Sequence, residues 1–298
     1  MRKIVIGSRG SDLALWQANY VKNQLENLGS EVEIKIIITQ GDAIQDLSFD
    51  KLEGKGFFTK EIEHELLASK IDLAVHSHKD LETNPPKGLM IAAVSEREDP
   101  SELLLINKTK VDSSKQYKLA ENSIIGTSSA RRKSLVVHFR PDLKIKELRG
   151  NVPTRIQKLR NGNYDAILLA KAGVDRLKLD LSDFHVEILN PREFVPAPAQ
   201  GVLALQIREE DQEMFDILQK INCKDVAKQI SIERKVLNLM NGGCQLPLGV
   251  YCENDHSIHV SFAKSWQEGA SIFHFTPKEF DSIAGKIVEK LKNLSSHI

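Results

Sequence analysis

The chain has 298 residues, 41% of them hydrophobic and 28% charged, and its 41 basic residues are balanced by 41 acidic ones. Zero formal net charge gives no global field toward nucleic acid or an anionic membrane, and no apolar run approaches a membrane span, so any anion binding must come from local clustering. Three cysteines (Cys223, Cys244 and Cys252) form no disulfide framework and the basic N-terminal stretch is too short for a signal peptide, so a cytoplasmic chain of two or three domains with reduced thiols is expected.

In chain order, residues 3–6 read as a strand ending at Gly7, followed by the polar loop Ser8-Arg9-Gly10-Ser11. Ser11 can cap a helix whose apolar face is Leu13, Trp16, Tyr20 and Leu28, with Gly29 as its stop. Residues 32–39 alternate as the next strand, which makes a βαβ opening and a parallel sheet. Residues 40–56 are polar and aperiodic, a loop long enough to be functional or mobile. Thr59 can cap a helix carrying Ile62, Leu66 and Leu67. Leu73, Ala74 and Val75 then form a buried strand that ends in His76, Ser77, His78, Lys79 and Asp80. Ligands of open α/β sheets sit at the carboxyl ends of strands, which makes Asp80 the candidate catalytic carboxylate.

After the Asn84-Pro85-Pro86 break, residues 89–94 are a strand, and Glu96-Arg97-Glu98-Asp99-Pro100 reads as a crossing between domains. Ile124-Ile125-Gly126-Thr127-Ser128 repeats the pattern of Val5-Ile6-Gly7-Ser8: strand, glycine, hydroxyl, helix. Two α/β halves follow, each offering a helix N-terminus to an anion. Residues 144–148 and 164–170 are further strands; 151–160 and 171–177 are helical. Residues 194–201, rich in proline, form a hinge back to the first half, and 211–240 read as one helix. Beyond the Asn241-Gly242-Gly243-Cys244-Gln245 loop, strands near 258–263 and 271–275 and a last helix make a small α+β domain.

Arg131, Arg132, Arg149, Arg155 and Arg176 are expected in loops or helix starts of the second half, and Arg9 in the first. Guanidinium groups converging on one place suit a ligand with several carboxylates or phosphates; the competing reading is a solvated, salt-bridged surface. Cys244 is either an inert thiol or a cleft-facing one, on a loop freed by two glycines. His76 and His78 share a strand face but lack a third ligand at a sensible spacing, so no metal is expected. Lys55 between glycines lacks the following Ser or Thr and the preceding strand of a nucleotide loop.

Taken together the motifs resemble the porphobilinogen deaminase (hydroxymethylbilane synthase) family. They are Ser8-Arg9-Gly10-Ser11 with Leu13-Ala14-Leu15-Trp16-Gln17, Gly54-Lys55-Gly56-Phe57, His76-Ser77-His78-Lys79-Asp80 and Glu96-Arg97-Glu98-Asp99-Pro100. Gly126-Thr127-Ser128-Ser129 with Arg131-Arg132, Leu148-Arg149-Gly150-Asn151-Val152, Gln200-Gly201 and Gly242-Gly243-Cys244-Gln245-Leu246-Pro247 follow in the family's order. The resemblance implies two α/β domains like type II periplasmic binding proteins, 1–98 with 197–216 and 99–196, plus a small α+β domain, 217–298. It implies a dipyrromethane cofactor held by a thioether to Cys244, and four porphobilinogen units that lose ammonia and join head to tail on it. Water then releases hydroxymethylbilane.

By the same match Asp80 is catalytic. Ser77, Lys79, Thr127, Ser128, Ser129, Arg131, Arg132, Arg149, Gly150, Arg155 and Gln200 hold the cofactor. Arg9, Ser11, Arg149, Arg155, Arg176 and Lys55 hold substrate. The implied protein is a monomer whose partner is the small molecule porphobilinogen, with no nucleic acid and no membrane. Three positions depart from the family pattern: Asp12 and Glu82 where proline is common, and His78 where an apolar residue is common. His78 is expected to point away from Asp80, as strand neighbours alternate. The alternatives are a non-enzymatic receptor for an anionic solute, which the fold alone would support, and a cysteine hydrolase using Cys244.

Overall fold

The computed structural model describes residues 2–39, 59–243, 245–254, 257–277 and 282–296. The first stretch runs β1 (Lys3–Ser8), α1 (Asp12–Asn27), β2 (Glu31–Ile36), α2 (Lys60–Leu67), β3 (Leu73–Ser77) and β4 (Leu89–Val94). The middle runs β5 (Glu102–Asn107), β6 (Ile124–Gly126), α3 (Ala130–Phe139), β7 (Lys144–Lys146), α4 (Val152–Arg160), β8 (Ala166–Ala170), α5 (Lys171–Leu177) and β9 (Phe184–Leu189). The last runs β10 (Leu203–Arg208), α6 (Gln212–Gln219), α7 (Lys224–Leu239), β11 (Leu248–Cys252), β12 (Ile258–Phe262), β13 (Ser271–Phe275) and α8 (Ile283–Ser296). By contacts the chain divides into two units, 1–98 with 201–228 and 99–200 with 229–298.

Each unit holds a five-stranded sheet, and the two sheets share one plan. The orders are β2-β1-β3-β10-β4 and β7-β6-β8-β5-β9. In both, the first three strands are parallel and the fourth runs antiparallel to both neighbours. That fourth strand is always the one entered from a crossing segment: β5 after residues 95–101, β10 after residues 190–202. The short repeat in the sequence marks equivalent corners. A Cβ on Gly7 would lie 2.4 Å from Ile71 Cδ1, and one on Gly126 2.7 Å from Tyr164 Cδ1, so neither strand end has room for a side chain.

Ile4, Ile6, Leu73, Val75, Leu203, Leu205 and Ile207 build the first core with Val21 and Leu25 of α1. Ser11 caps α1 as expected, accepting from the Ala14 N–H. The buried face is not the expected one, however. Gln17, Ala18, Val21 and Leu25 face inward, Trp16 and Tyr20 stack on each other with centroids 5.5 Å apart, and Leu28 is exposed. Tyr20 stays partly buried against the core, but the helix is rotated so that Gln17, Ala18, Val21 and Leu25 carry the buried face.

The second sheet is buried on both faces, by Leu104, Ile106, Leu135 and Leu168 on one and Leu103, Leu105, Ile156 and Leu169 on the other. The single helix expected over 211–240 is two, α6 and α7. Leu218 of α6 packs into the first core, and the Cys223 N–H bonds the Val94 carbonyl at 3.0 Å in the break. The small sheet β11-β12-β13 packs with α7 and α8 around Val236, Val250, Ile258, Val260, Ile287 and Leu291. Among the described residues no helix is long and apolar enough to cross a membrane.

Candidate functional site

In the first unit β1 and β3 are parallel neighbours, so their carboxyl ends lie side by side. Arg9 and Ser11 follow β1; Ser77, Lys79 and Asp80 follow β3. Ser77 ends its strand and accepts a hydrogen bond at 2.8 Å from Nε2 of the buried Gln17. His78–Asp80 then form one turn of 3-10 helix, which leaves Lys79 half-buried and Asp80 exposed. The alternation argument for His78 therefore fails: the strand stops at Ser77, and His76 and His78 are both buried. Ser11 spends its hydroxyl on the α1 cap.

Under this corner lies a polar relay that hydropathy did not reveal. His76 Nε2 and Gln206 Oε1 are 3.0 Å apart, and Gln206 Nε2 donates to Glu63 Oε1 at 3.0 Å. Because the Gln206 amide donates to Glu63, its oxygen is the acceptor for His76, which therefore carries its proton on Nε2. Burial pulls the His76 pKa down to about 4, against a smaller upward effect of Gln206. Burial also raises Glu63, partly offset by the Gln206 hydrogen bond.

In the second unit β7, β6 and β8 are parallel neighbours, so three carboxyl ends lie side by side. Thr127, Ser128 and Ser129 follow β6. Thr127 is buried and accepts from the Ser129 N–H; Ser129 caps α3 through the Arg132 N–H. Ser128 Oγ donates to the Leu148 carbonyl at 2.8 Å and accepts the Leu148 N–H at 3.1 Å, which ties this loop to Arg149 and Gly150 after β7. Arg149 and Arg155 are half-buried, and Arg155 Nε donates to the Gly150 carbonyl at 2.7 Å. Arg176 is buried in the last turn of α5, not at a helix start as expected, because the helix begins directly after β8 at Lys171. Gln200 is buried and donates to the Pro100 carbonyl at 2.7 Å.

Arg131 and Arg132 are both buried, and the carboxylate between them was missed. Glu102, the first residue of β5, has no exposed surface. Its Oε1 lies 2.5 Å from Arg131 Nη2 and its Oε2 2.6 Å from Arg132 Nη2. The other contacts are backbone carbonyls: Val195 for Arg131 at 2.8 Å and Leu168 for Arg132 at 3.1 Å. Burial lowers the Arg131 pKa, Glu102 raises it, and Arg132 lowers it again. The only signal in the sequence is a carboxylate heading the apolar run Leu103-Leu104-Leu105-Ile106.

Cys244 and Lys55 lie outside the described residues. Among the described residues no group of three or more His, Cys, Asp or Glu side chains could hold a metal. The donors gathered at the strand ends are cations and hydroxyls, a set suited to carboxylates.

The family model for the porphobilinogen deaminase dipyrromethane cofactor-binding domain matches residues 4–216. The porphobilinogen deaminase of Oceanobacillus iheyensis is 46% identical over 257 residues, 86% of this chain and 82% of that protein. That of Maridesulfovibrio salexigens is 47% identical over 255 residues, 85% and 81% of the two chains. A solved periplasmic binding protein of Salmonella typhimurium aligns with TM-score 0.42 at 11% identity, covering 76% of this chain and 94% of that one.

Proposed function

The chain belongs to the porphobilinogen deaminase family, and from that membership we propose how its residues divide the work. The enzyme condenses four porphobilinogen molecules head to tail with loss of ammonia, on a covalently bound dipyrromethane, and water releases hydroxymethylbilane. In each condensation the C–N bond of an aminomethyl group breaks, a C–C bond forms to a pyrrole carbon, and that carbon loses its proton. Dipyrromethane, held by a thioether at Cys244, supplies the free pyrrole carbon from which the chain starts.

Each pyrrole carries an acetate and a propionate, so cofactor and product are polyanions. The residues fit such a group: buried guanidiniums at Arg131 and Arg132, the Arg132 Nε without a hydrogen-bond partner among the described residues, and Arg149 and Arg155 at the next strand end. Arg131, Arg132, Arg149 and Arg155 hold cofactor carboxylates; Arg9, Arg149, Arg155, Arg176 and Lys55 hold those of substrate. Ser77 and Lys79 of the first unit, and Thr127 and Ser129 of the second, also hold cofactor carboxylates. Ser11, Ser128, Gly150 and Gln200 act through the loops and caps that they brace. Asp80 accepts pyrrole N–H groups and stabilises the cation left as ammonia departs, an electrostatic role that needs an ionised, accessible carboxylate.

The three-domain division, a monomeric state and a cytoplasmic location belong to the same proposal. The separate core of the small sheet supports a third domain. The packing of Met214, Leu218 and Ile221 into the first core favours starting it after Ile221.

The observation that carries the reading is identity near one half over 86% of the chain. Intact mass tests it. Chain purified from cells that make porphobilinogen should carry an excess equal to two deaminated pyrrole units, absent in Cys244→Ser. A folded wild type without that excess would favour the receptor alternative.

A further inference from the structure

We propose that Glu102 is the positioning residue of the Arg131–Arg132 pair, clamping both guanidiniums with one buried carboxylate so that together they accept one ligand carboxylate. The inference rests on the cofactor reading above.

The geometry is specific. Glu102 gives one oxygen to each arginine, at 2.5 and 2.6 Å, and each guanidinium is fixed a second time by a backbone carbonyl. Two neighbouring guanidiniums repel, and without an anion between them they would separate or seek solvent. Glu102 is itself rigid. It sits on a central strand, paired with Ala170 on one side and Leu189 on the other, and the preceding Pro100 carbonyl accepts from Gln200.

The charge count points to a ligand. Two guanidiniums and one carboxylate leave the three buried side chains at +1. A buried excess charge is costly unless an anion completes it. Among the described residues the buried Arg132 Nε has no hydrogen-bond partner, so a donor remains to be matched. One further carboxylate would neutralise the group. Were Glu102 neutral, the pair would carry +2 and no fixed spacing.

The test compares Glu102→Gln and Glu102→Asp with wild type, all purified as full chains from the same porphobilinogen-making cells. The mass excess on wild type is read first; its absence would sink the family activity, not this inference. With wild type loaded, fewer than one in ten of the folded Glu102→Gln chains should carry the excess, whatever the fall in melting midpoint that the uncompensated guanidiniums cause. Glu102→Asp keeps the charge and should be loaded on more than half of its chains. A merely structural carboxylate would instead lower the midpoint and leave every folded chain loaded, and that result overturns the proposal. Should Glu102→Gln not fold, Glu102→Asp decides. Its shorter side chain cannot keep both contacts, so unloaded chain given porphobilinogen should gain the excess three- to tenfold more slowly than wild type at an equal midpoint. Equal loading rates would overturn the clamp.

Discussion

His76 and Asp80 leave the same strand for opposite surroundings, and each makes a prediction. His76 is buried with a pKa near 4, while in the unfolded chain it titrates near its ordinary 6.5. As pH falls through that window the unfolded chain takes up a proton that the folded one refuses. Stability present above pH 6.5 is therefore lost progressively, by about 3 kcal/mol in full below pH 4. His76→Gln keeps a donor for Gln206 but cannot titrate, so its urea midpoint should drop less than that of wild type between pH 7 and 4.5. Parallel drops would show that His76 charges freely in the fold. Asp80 is exposed and outside any core, so Asp80→Ala should fold with stability within about 0.5 kcal/mol of wild type. Its consumption of porphobilinogen should fall by roughly 100-fold or more, the usual cost of removing a group aimed at developing charge. Wild-type consumption by that variant would remove Asp80 from the chemistry.

Among the elements, the parallel strands and the hydroxyl loops after them were legible, because an apolar run closing on glycine and a helix-capping hydroxyl has a local cause. Ile4 and Ile6 before Gly7, and Ile125 before Gly126, are such runs. The antiparallel strands β5, β9 and β10 were not. In β10, Gln206 and Arg208 alternate with Leu205 and Ile207 as solvent-facing residues would, yet both are buried: Gln206 in the His76–Glu63 relay, Arg208 on the carbonyls of Leu66 and Ile71. Glu102 is hidden in the same way. A polar group satisfied by distant residues leaves no trace in local periodicity. Ser128 shows what an element boundary contributes. Its hydroxyl both donates to and accepts from Leu148, so Ser128→Ala should cost about 1–2 kcal/mol by denaturant midpoint and loosen the loop that presents Arg149. A midpoint equal to that of wild type, with full cofactor loading, would mean that the two strand ends are braced by other contacts.

For the whole molecule, strand order dictates an order of assembly. All five strands of the second sheet lie within residues 102–189, whereas the first sheet needs β10, which the chain supplies only after the entire second sheet. Until β10 inserts between β3 and β4, both of those strands keep an open edge. The His76–Gln206 contact across β3 and β10 spans 130 residues, and closing so long a loop is costly while the intervening chain is unfolded. Folding of the middle stretch shortens that search. Pulse-labelled hydrogen exchange during refolding should therefore protect amides of β5, β6 and β8 before those of β3 and β10. A chain ending at residue 98 should lack protected amides in β3, since its sheet is missing a central strand. Adding back residues 201–228 as a separate peptide should restore only weak protection, because the covalent crossing that brings β10 home is gone. Simultaneous protection of both sheets in the full chain, or native-like protection in the 1–98 fragment, would show that β10 is dispensable to the first fold and that the crossing strand follows assembly instead of limiting it.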